Sequence, residues 1–339
     1  MKHEGSRCGS AALTAALAVL PAALFVASLG LGPYALGPME VAHIVVGKAL
    51  GMPLPYDALA VNVVWQVRLP RVMAAMLVGA GLAVAGAVFQ GVFRNPLASP
   101  YTLGVSNGAG FGAALAIVLS LGGASIQAFA IAFGLAAVGL TFLFAARSRQ
   151  STVALVLSGM LVGSLFASLV ALLKFTADPT EKLPQIVYWI MGSLSGTGFD
   201  ELLRIAPLYA VCMAVLVACR WRVNVLSVGD HEARSFGVDV RRDRGVLVAA
   251  ASALAALAVS VSGIIGWVGI VVPHLARMLV GPDFRRLVPA AVSLGASYLM
   301  VIDDACRSFV AAEVPIGVVT GIVGVPLFLY FIFKGRVSW

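Results

Sequence analysis

The chain has 339 residues, 60% of them hydrophobic and only 11% charged, with a formal net charge of +8. A soluble domain carries about 25% charged residues, so a water-soluble globule is excluded and most of the chain must lie in lipid or against helices that do. The surplus of Lys and Arg then reads as membrane orientation, because these residues collect in cytoplasmic loops, and not as a nucleic-acid surface.

The first apolar run is 11–31, behind Lys2 and Arg7. It is longer than the ~7–15-residue core of a signal peptide and lacks a convincing A-x-A site, so a retained span is expected. The second run, 70–93, is the clearest. From Val72 to Phe93, 22 residues pass without a charge, matching the ~20 that cross a hydrocarbon core. Arg68 and Arg71 bracket its start and Arg94-Asn95-Pro96 ends it. Further runs follow at 103–122, 125–146, 151–173 and 202–220. After a basic segment come 245–262, 265–280, 287–306 and 315–333. An all-α, polytopic membrane protein of about ten transmembrane helices is predicted. Between Gly245 and Gly281, 37 residues must cross and return. Gly263, Gly266, Gly269 and Pro273 point there to a tight turn and a short or broken helix. Nine spans with one long tilted helix is the alternative, which would put the C-terminus outside.

With the N-terminus inside, cytoplasmic segments hold 16 of the 23 Lys and Arg residues. Flipping the chain inverts that bias, so both termini are expected in the cytoplasm. The connections 32–69, 174–201 and 221–244 are too short for a soluble domain, and residues 1–339 read as one transmembrane domain. No G-x-x-x-x-G-K-[ST] occurs, so the chain does not cradle nucleotide phosphates itself and its energy must come from elsewhere. Glycines four apart (Gly104/Gly108/Gly112, Gly159/Gly163, Gly317/Gly321) suit close helix packing; a glycine-lined passage is the sharper alternative. Cys8, Cys212, Cys219 and Cys306 include no C-x-x-C pair and read as packing residues. His3, His43, His231 and His274 are scattered and form no metal-ligand cluster.

Several segments in fixed order carry a resemblance. They are Arg68-Leu69-Pro70-Arg71, Gly86-Ala87-Val88-Phe89-Gln90, Arg94-Asn95-Pro96-Leu97-Ala98 and Leu103-Gly104-Val105-Ser106-Asn107-Gly108-Ala109. Trp189-Ile190-Met191-Gly192-Ser193-Leu194 and Val225-Leu226-Ser227-Val228-Gly229-Asp230 continue the series. Gly266-Trp267-Val268-Gly269, Val272-Pro273-His274-Leu275-Ala276-Arg277 and Glu313-Val314-Pro315-Ile316-Gly317-Val318-Val319-Thr320 complete it. From about residue 62 to the C-terminus the chain resembles the FecCD family, the membrane permeases of type II ABC importers for cobalamin, haem and ferric siderophores, and most of all its vitamin B12 branch. The resemblance implies ten helices per subunit with both termini cytoplasmic, in a bacterial inner membrane. It implies a second copy of the chain to form the pathway and two copies of a separate ATPase inside. Outside it implies a docked substrate-binding protein. Membrane lipid is the remaining partner, no cofactor is implied, and the chain itself is no enzyme.

Three groups of residues carry over. Arg68, Arg71 and Arg307 match family arginines that pair with acids on the binding protein. Exposed guanidiniums would give charge-assisted contacts to carboxylates and steer encounter; anchoring helix ends at the headgroups is the alternative. Asp230, His231, Glu232, Ala233, Arg234 and Gly237, within a loop of about 221–244, resemble the segment that couples to the ATPase. A basic loop facing anionic lipid is the alternative. Ser151, Thr152 and Val153 resemble the cytoplasmic gate, with a valine where the vitamin B12 branch has a second polar residue; helix N-capping is the alternative. Gly324-Val325-Pro326 stands where Gly-Ala-Pro is usual, and Ile302-Asp303-Asp304 replaces a commoner Ala-Asp-x. Asp303 and Asp304 are expected near the outer end of their span, snorkelling or pairing with Arg307, and not on an ion path. A secondary transporter would want a mid-membrane carboxylate and inverted repeats, and neither is evident. A membrane enzyme would want a His/Asp/Glu constellation at one depth, which is absent. For cargo, a ferric siderophore is expected first, then cobalamin, haem and molybdate-like oxyanions.

Overall fold

In the computed structural model, residues 2–146, 152–308 and 313–333 are described, with side chains from residue 12 onward except at 146 and 152. Among them every regular element is helical. α1 (Lys2–Gly30) and the short α2 (Pro38–Ala49) precede α3 (Ala58–Asn62), which passes through a π-helical stretch (Val63–Arg68) into α4 (Leu69–Phe93). The three merge into one 36-residue rod. α5 (Val105–Val118), α6 (Gly123–Ala146), α7 (Thr152–Thr176), α8 (Lys182–Met191) and α9 (Phe199–Ala218) follow. α10 (Arg220–Val228), α11 (Asp230–Ser235), α12 (Val240–Ser262), α13 (Val268–Val280), α14 (Phe284–Ser308) and α15 (Ile316–Phe333) complete the chain.

Each of the ten apolar runs meets a helix. Eight are long and apolar enough to cross a membrane, while α5 and α13 are apolar but have 14 and 13 residues. The expected full-length span 103–122 is therefore corrected to a short helix, while the short helix expected between Gly245 and Gly281 is α13; each is entered through irregular chain. Gly104 at φ 81° starts α5, and Gly263 at φ 68° ends α12 ahead of α13. Irregular backbone at membrane depth is tolerated where protein covers it, and Ala98, Ser99 and Pro100 are buried. The connections are corrected too. The segment 221–244 is largely helical, and α2 and α8 occupy what read as loops.

α4 lies at the centre. Between Leu69 and Phe93 only Met73, Met76 and Leu77 are less than fully buried. Its Gly, Ala and Val content lets neighbours approach backbone to backbone. α14 runs antiparallel to it: Arg71 meets Asp303, Gly79 meets Gly295 and Gly91 lies under Phe284. A Cβ on Gly79 would overlap the Gly295 carbonyl, and one on Gly86 would overlap that of Gly269 in α13. Gly108 and Gly112 face the Phe133 and Phe129 carbonyls of α6 in the same manner. α1 instead runs parallel to α14, since Ser293 donates to the Leu17 carbonyl and Ser28 to Asp304, eleven residues on in each helix.

Candidate functional site

At one end of the bundle three arginines meet three acids. The π-helical stretch delivers Arg68, whose guanidinium donates to the carbonyls of Leu29 (3.0 Å), Gly30 (3.4 Å) and Tyr34. Arg71 grips Asp303 through Nε (3.0 Å) and Nη2 (2.9 Å) and reaches Glu313 at 2.6 Å. Arg307 pairs with Asp304, approaches Asp303 at 3.7 Å, and donates to the carbonyls of Ser28 (2.5 Å) and Leu31 (3.0 Å). Arg68, Arg71 and Arg307 are 3%, 6% and 6% exposed, so the expectation of exposed guanidiniums is not met. The cause is local: the last carbonyls of α1 lack helical donors and sit at the negative end of its dipole, while Asp303 and Asp304 lie one turn before Arg307. The expected pairing of both acids with Arg307 is present. Arg71 as a second partner of Asp303 was not foreseen. The exposed member of the cluster is Glu313, whose side chain is 43% accessible.

At the other end, α10 and α11 form an elbow. Gly229 at φ 147° separates them, and Gly237 at φ 75° terminates the second; a side chain at either position would be strained. α11 is pinned by buried Ala233 and by Asp230, which accepts from Arg244 at 2.6 Å and stands 3.8 Å from Arg94. The hydrogen bond from Arg244 holds the Asp230 carboxyl below its ordinary range, and the nearby charges of Arg244, Arg94 and Arg234 act in the same direction. Its outward face presents His231, Glu232 and Arg234, and next to them Phe236, which is 66% exposed. Phe236 is the most accessible apolar group of this elbow. Phe236 lies within the segment from Asp230 to Gly237 that carries the resemblance to a coupling element. Asn224 of α10 ties the elbow to the start of α14 through Asp283 (2.6 Å) and the Phe284 amide (2.8 Å).

Of the three gate positions, Ser151 and the Thr152 side chain lie outside the described residues. Val153, on the first turn of α7, is 68% exposed and borders a recess with Phe93, Arg94 and Asn95. Between these two ends a cleft of about 460 Å³ opens beside both broken helices. Ser99, Ser106, Met191, Trp267, Ile270 and Gly317 are among its walls, and among the described residues no charged side chain lines it. Among the described residues no group of three His, Cys, Asp or Glu could hold a metal ion. Such a cleft can pass a solute without gripping it.

Comparison with known proteins agrees with this geometry. A family model described as the FecCD transport family matches residues 19–334. The molybdate import system permease MolB of Haemophilus influenzae is 40% identical over 310 residues, 91% of each chain. The cobalamin import system permease BtuC of Halobacterium salinarum is 39% identical over 272 residues, covering 80% of this chain and 73% of the relative. An inward-facing structure of a transporter assigned to the metal-chelate ABC type superposes with a TM-score of 0.85 at 38% identity, over 96% of this chain and 99% of the other. Membership of such a family implies an ATPase and a substrate-binding protein as partners. The chain belongs to the FecCD transport family and is a multi-pass ABC transporter permease, a transport subunit whose ATP hydrolysis resides on a separate protein.

Proposed function

We propose that this chain and a second copy of it form the pathway of an importer for a metal-centred solute in a bacterial inner membrane. A binding protein would deliver the solute at the arginine-cluster end, outside, and two ATPase copies would seat on the α10–α11 elbows inside. The observation that carries the reading is the uncharged cleft beside the two broken helices. A wall without cations or carboxylates suits low-affinity passage of a bulky chelate, and selection then falls to the binding protein. Because Arg68, Arg71 and Arg307 are committed internally, their role in docking would be to fix the rim, with Glu313 as its accessible charge. Asp230 and Ala233 would hold the elbow while His231, Glu232, Arg234 and Phe236 meet the ATPase, Gly237 closing the turn. Ser151, Thr152 and Val153 would close the pathway on the inner side by meeting the partner copy.

A second cargo reading has its own support, since the relative that covers 91% of this chain imports molybdate by its name. The test is uptake into proteoliposomes containing this chain, its ATPase and its binding protein, with ferric siderophore, cobalamin, haem and molybdate offered in turn. ATP-dependent uptake of one solute is expected. Uptake driven by an ion gradient without ATP would instead establish a secondary transporter. Val153→Cys should cross-link copy to copy, which requires Cα atoms within ~7 Å, whereas Ala132→Cys on α6 should not. The reverse pattern would place the wrong helix at the pathway.

A further inference from the structure

An open groove follows the flank formed by α1 and α14. Its broad part, about 990 Å³, lies between residues 13–21 of α1 and 285–293 of α14, with Val217 of α9 and Leu279 and Val280 of α13 completing the wall. A narrower continuation shares Ala18 and Pro21 with it and runs past Phe25 and Val26 to Met76 of α4. From Leu13 to Val26 the groove follows α1 for about 20 Å, more than half of a hydrocarbon core of ~30 Å.

Two prolines shape this space. Pro21, inside α1, has no N–H for the Leu17 carbonyl one turn back, and that carbonyl accepts the Ser293 hydroxyl of α14 instead. Pro289, inside α14, likewise leaves the Arg285 carbonyl without its helical donor. The two helices are thus pinned together at Ser293, and the apolar wall beside the pin stays open. Arg285 and Arg286 stand at one end of it. Both are exposed, and among the described residues neither pairs with a carboxylate. Asp283, beside them, accepts from the Arg285 amide (2.9 Å) and from Asn224 (2.6 Å) through Oδ1, and it feels the charge of both arginines without forming an ion pair with either. Along α14, Arg285 precedes Arg307 by about 33 Å, so the two arginine sites sit at opposite headgroup levels. Two unpaired guanidiniums at one headgroup level, above an apolar furrow running inward, complement a single molecular class.

We propose that this groove binds an anionic phospholipid, its phosphate on Arg285 and Arg286 and an acyl chain along Leu17, Ala18 and Pro21. The site is independent of the cargo and of the transport mechanism. The test uses the purified full-length chain in nanodiscs mixing phosphatidylglycerol with phosphatidylcholine, with retained lipid read by native mass spectrometry. The wild type should retain phosphatidylglycerol selectively. Arg285→Gln/Arg286→Gln should weaken that retention about thirtyfold, roughly fivefold for each guanidinium near the surface. Ala18→Trp, which keeps both charges and fills the furrow, should lose retention of either lipid. Gel filtration checks that each variant is folded. Equal retention of the two lipids by the wild type would overturn the proposal without any variant, and so would wild-type retention of phosphatidylglycerol by either folded variant.

Discussion

Replacing Asp303 by Asn is the sharpest test of how the arginine cluster works. The side chain of Asp303 is 1% accessible and takes three hydrogen bonds from Nε and Nη2 of Arg71, itself 7% accessible, with Arg307 at 3.7 Å. Removing one partner of a buried ion pair costs about 3–5 kcal/mol, because the other charge is left uncompensated. Here Arg71 keeps Glu313, but that carboxylate is 43% accessible and screened by solvent, and Arg307 keeps Asp304. Asn also retains one acceptor, so a loss near ~3 kcal/mol is expected. Removing the stranded guanidinium as well, in Arg71→Met/Asp303→Asn, should recover much of it, with a coupling energy of about 2 kcal/mol. The assay is a double-mutant cycle on the unfolding midpoint in detergent, followed by tryptophan fluorescence. Additivity within ~0.5 kcal/mol would refute the reasoning. So would an unchanged midpoint combined with weaker binding-protein association, for then the cluster would be a docking surface and not a brace.

Other outcomes follow from single contacts. Gly86→Ala should be destabilising by about 3 kcal/mol, since its Cβ would meet backbone that cannot rotate away. Gly139→Ala, with nothing within 4 Å, should lie within ~0.5 kcal/mol of the wild type in the same assay. Phe236→Ala should reduce co-purification of the ATPase severalfold while leaving the unfolding midpoint unchanged, and undiminished co-purification would remove Phe236 from that interface. The Asp230 carboxyl is held below its ordinary range by Arg244, so its anchoring is complete above the unfolded value near ~4 and is lost as pH falls through the lower folded value. The protection of α11 amides, relative to their intrinsic exchange at each pH, should therefore be constant across neutral pH and fall only in strong acid, and Asp230→Asn should lower it at pH 7.

Much of the fold could be read from the chain because lipid enforces it. Uncharged runs such as Val72–Phe93 have few alternatives to helix, and all ten runs lie on helices. The true length of α5 was not legible, since hydropathy does not distinguish apolar helix from apolar chain covered by protein. Gly263 and Gly266 did mark the irregular chain ahead of α13, whereas Gly269 and Pro273, read with them, lie inside the helix. The short helices α2 and α8 were missed for the opposite reason: they are amphipathic elements inside segments judged by their polarity. Glycine spacing gave close packing correctly at Gly108 and Gly112, but Gly79 against Gly295 joins residues 216 apart, which no local pattern reveals. The arginine cluster was legible in part. Arg307 with Asp303 and Asp304 is a local i,i+4 and i,i+3 pattern, whereas Arg71 with Asp303 depends on the antiparallel register of α4 and α14.

The two ends of the bundle are built with different chemistry, and that difference bears on what each can do. At the arginine end, the pairs of Arg71 and Arg307 with Asp303 and Asp304 are buried and both Arg68 and Arg307 are tied to backbone carbonyls, so α1, α4 and α14 are locked at fixed separation, and a partner meeting that face meets a rigid frame. At the elbow, Arg94 and Asp230 are 42% and 39% accessible and stand 3.8 Å apart, a contact of the kind worth ~0–1 kcal/mol. α10 is seated on the body by buried Val223, Val225 and Leu226, the Arg222–Asp243 pair and the Asn224–Asp283 link, whereas α11 is held by buried Ala233 and the Arg244 bond. An element so held can shift without disturbing the α4–α14 seam, where glycine backbones touch and sliding would produce immediate overlap. A rigid frame at one end and a lightly tethered α11 at the other is the arrangement required if force is applied at α11 and the protein must yield there first.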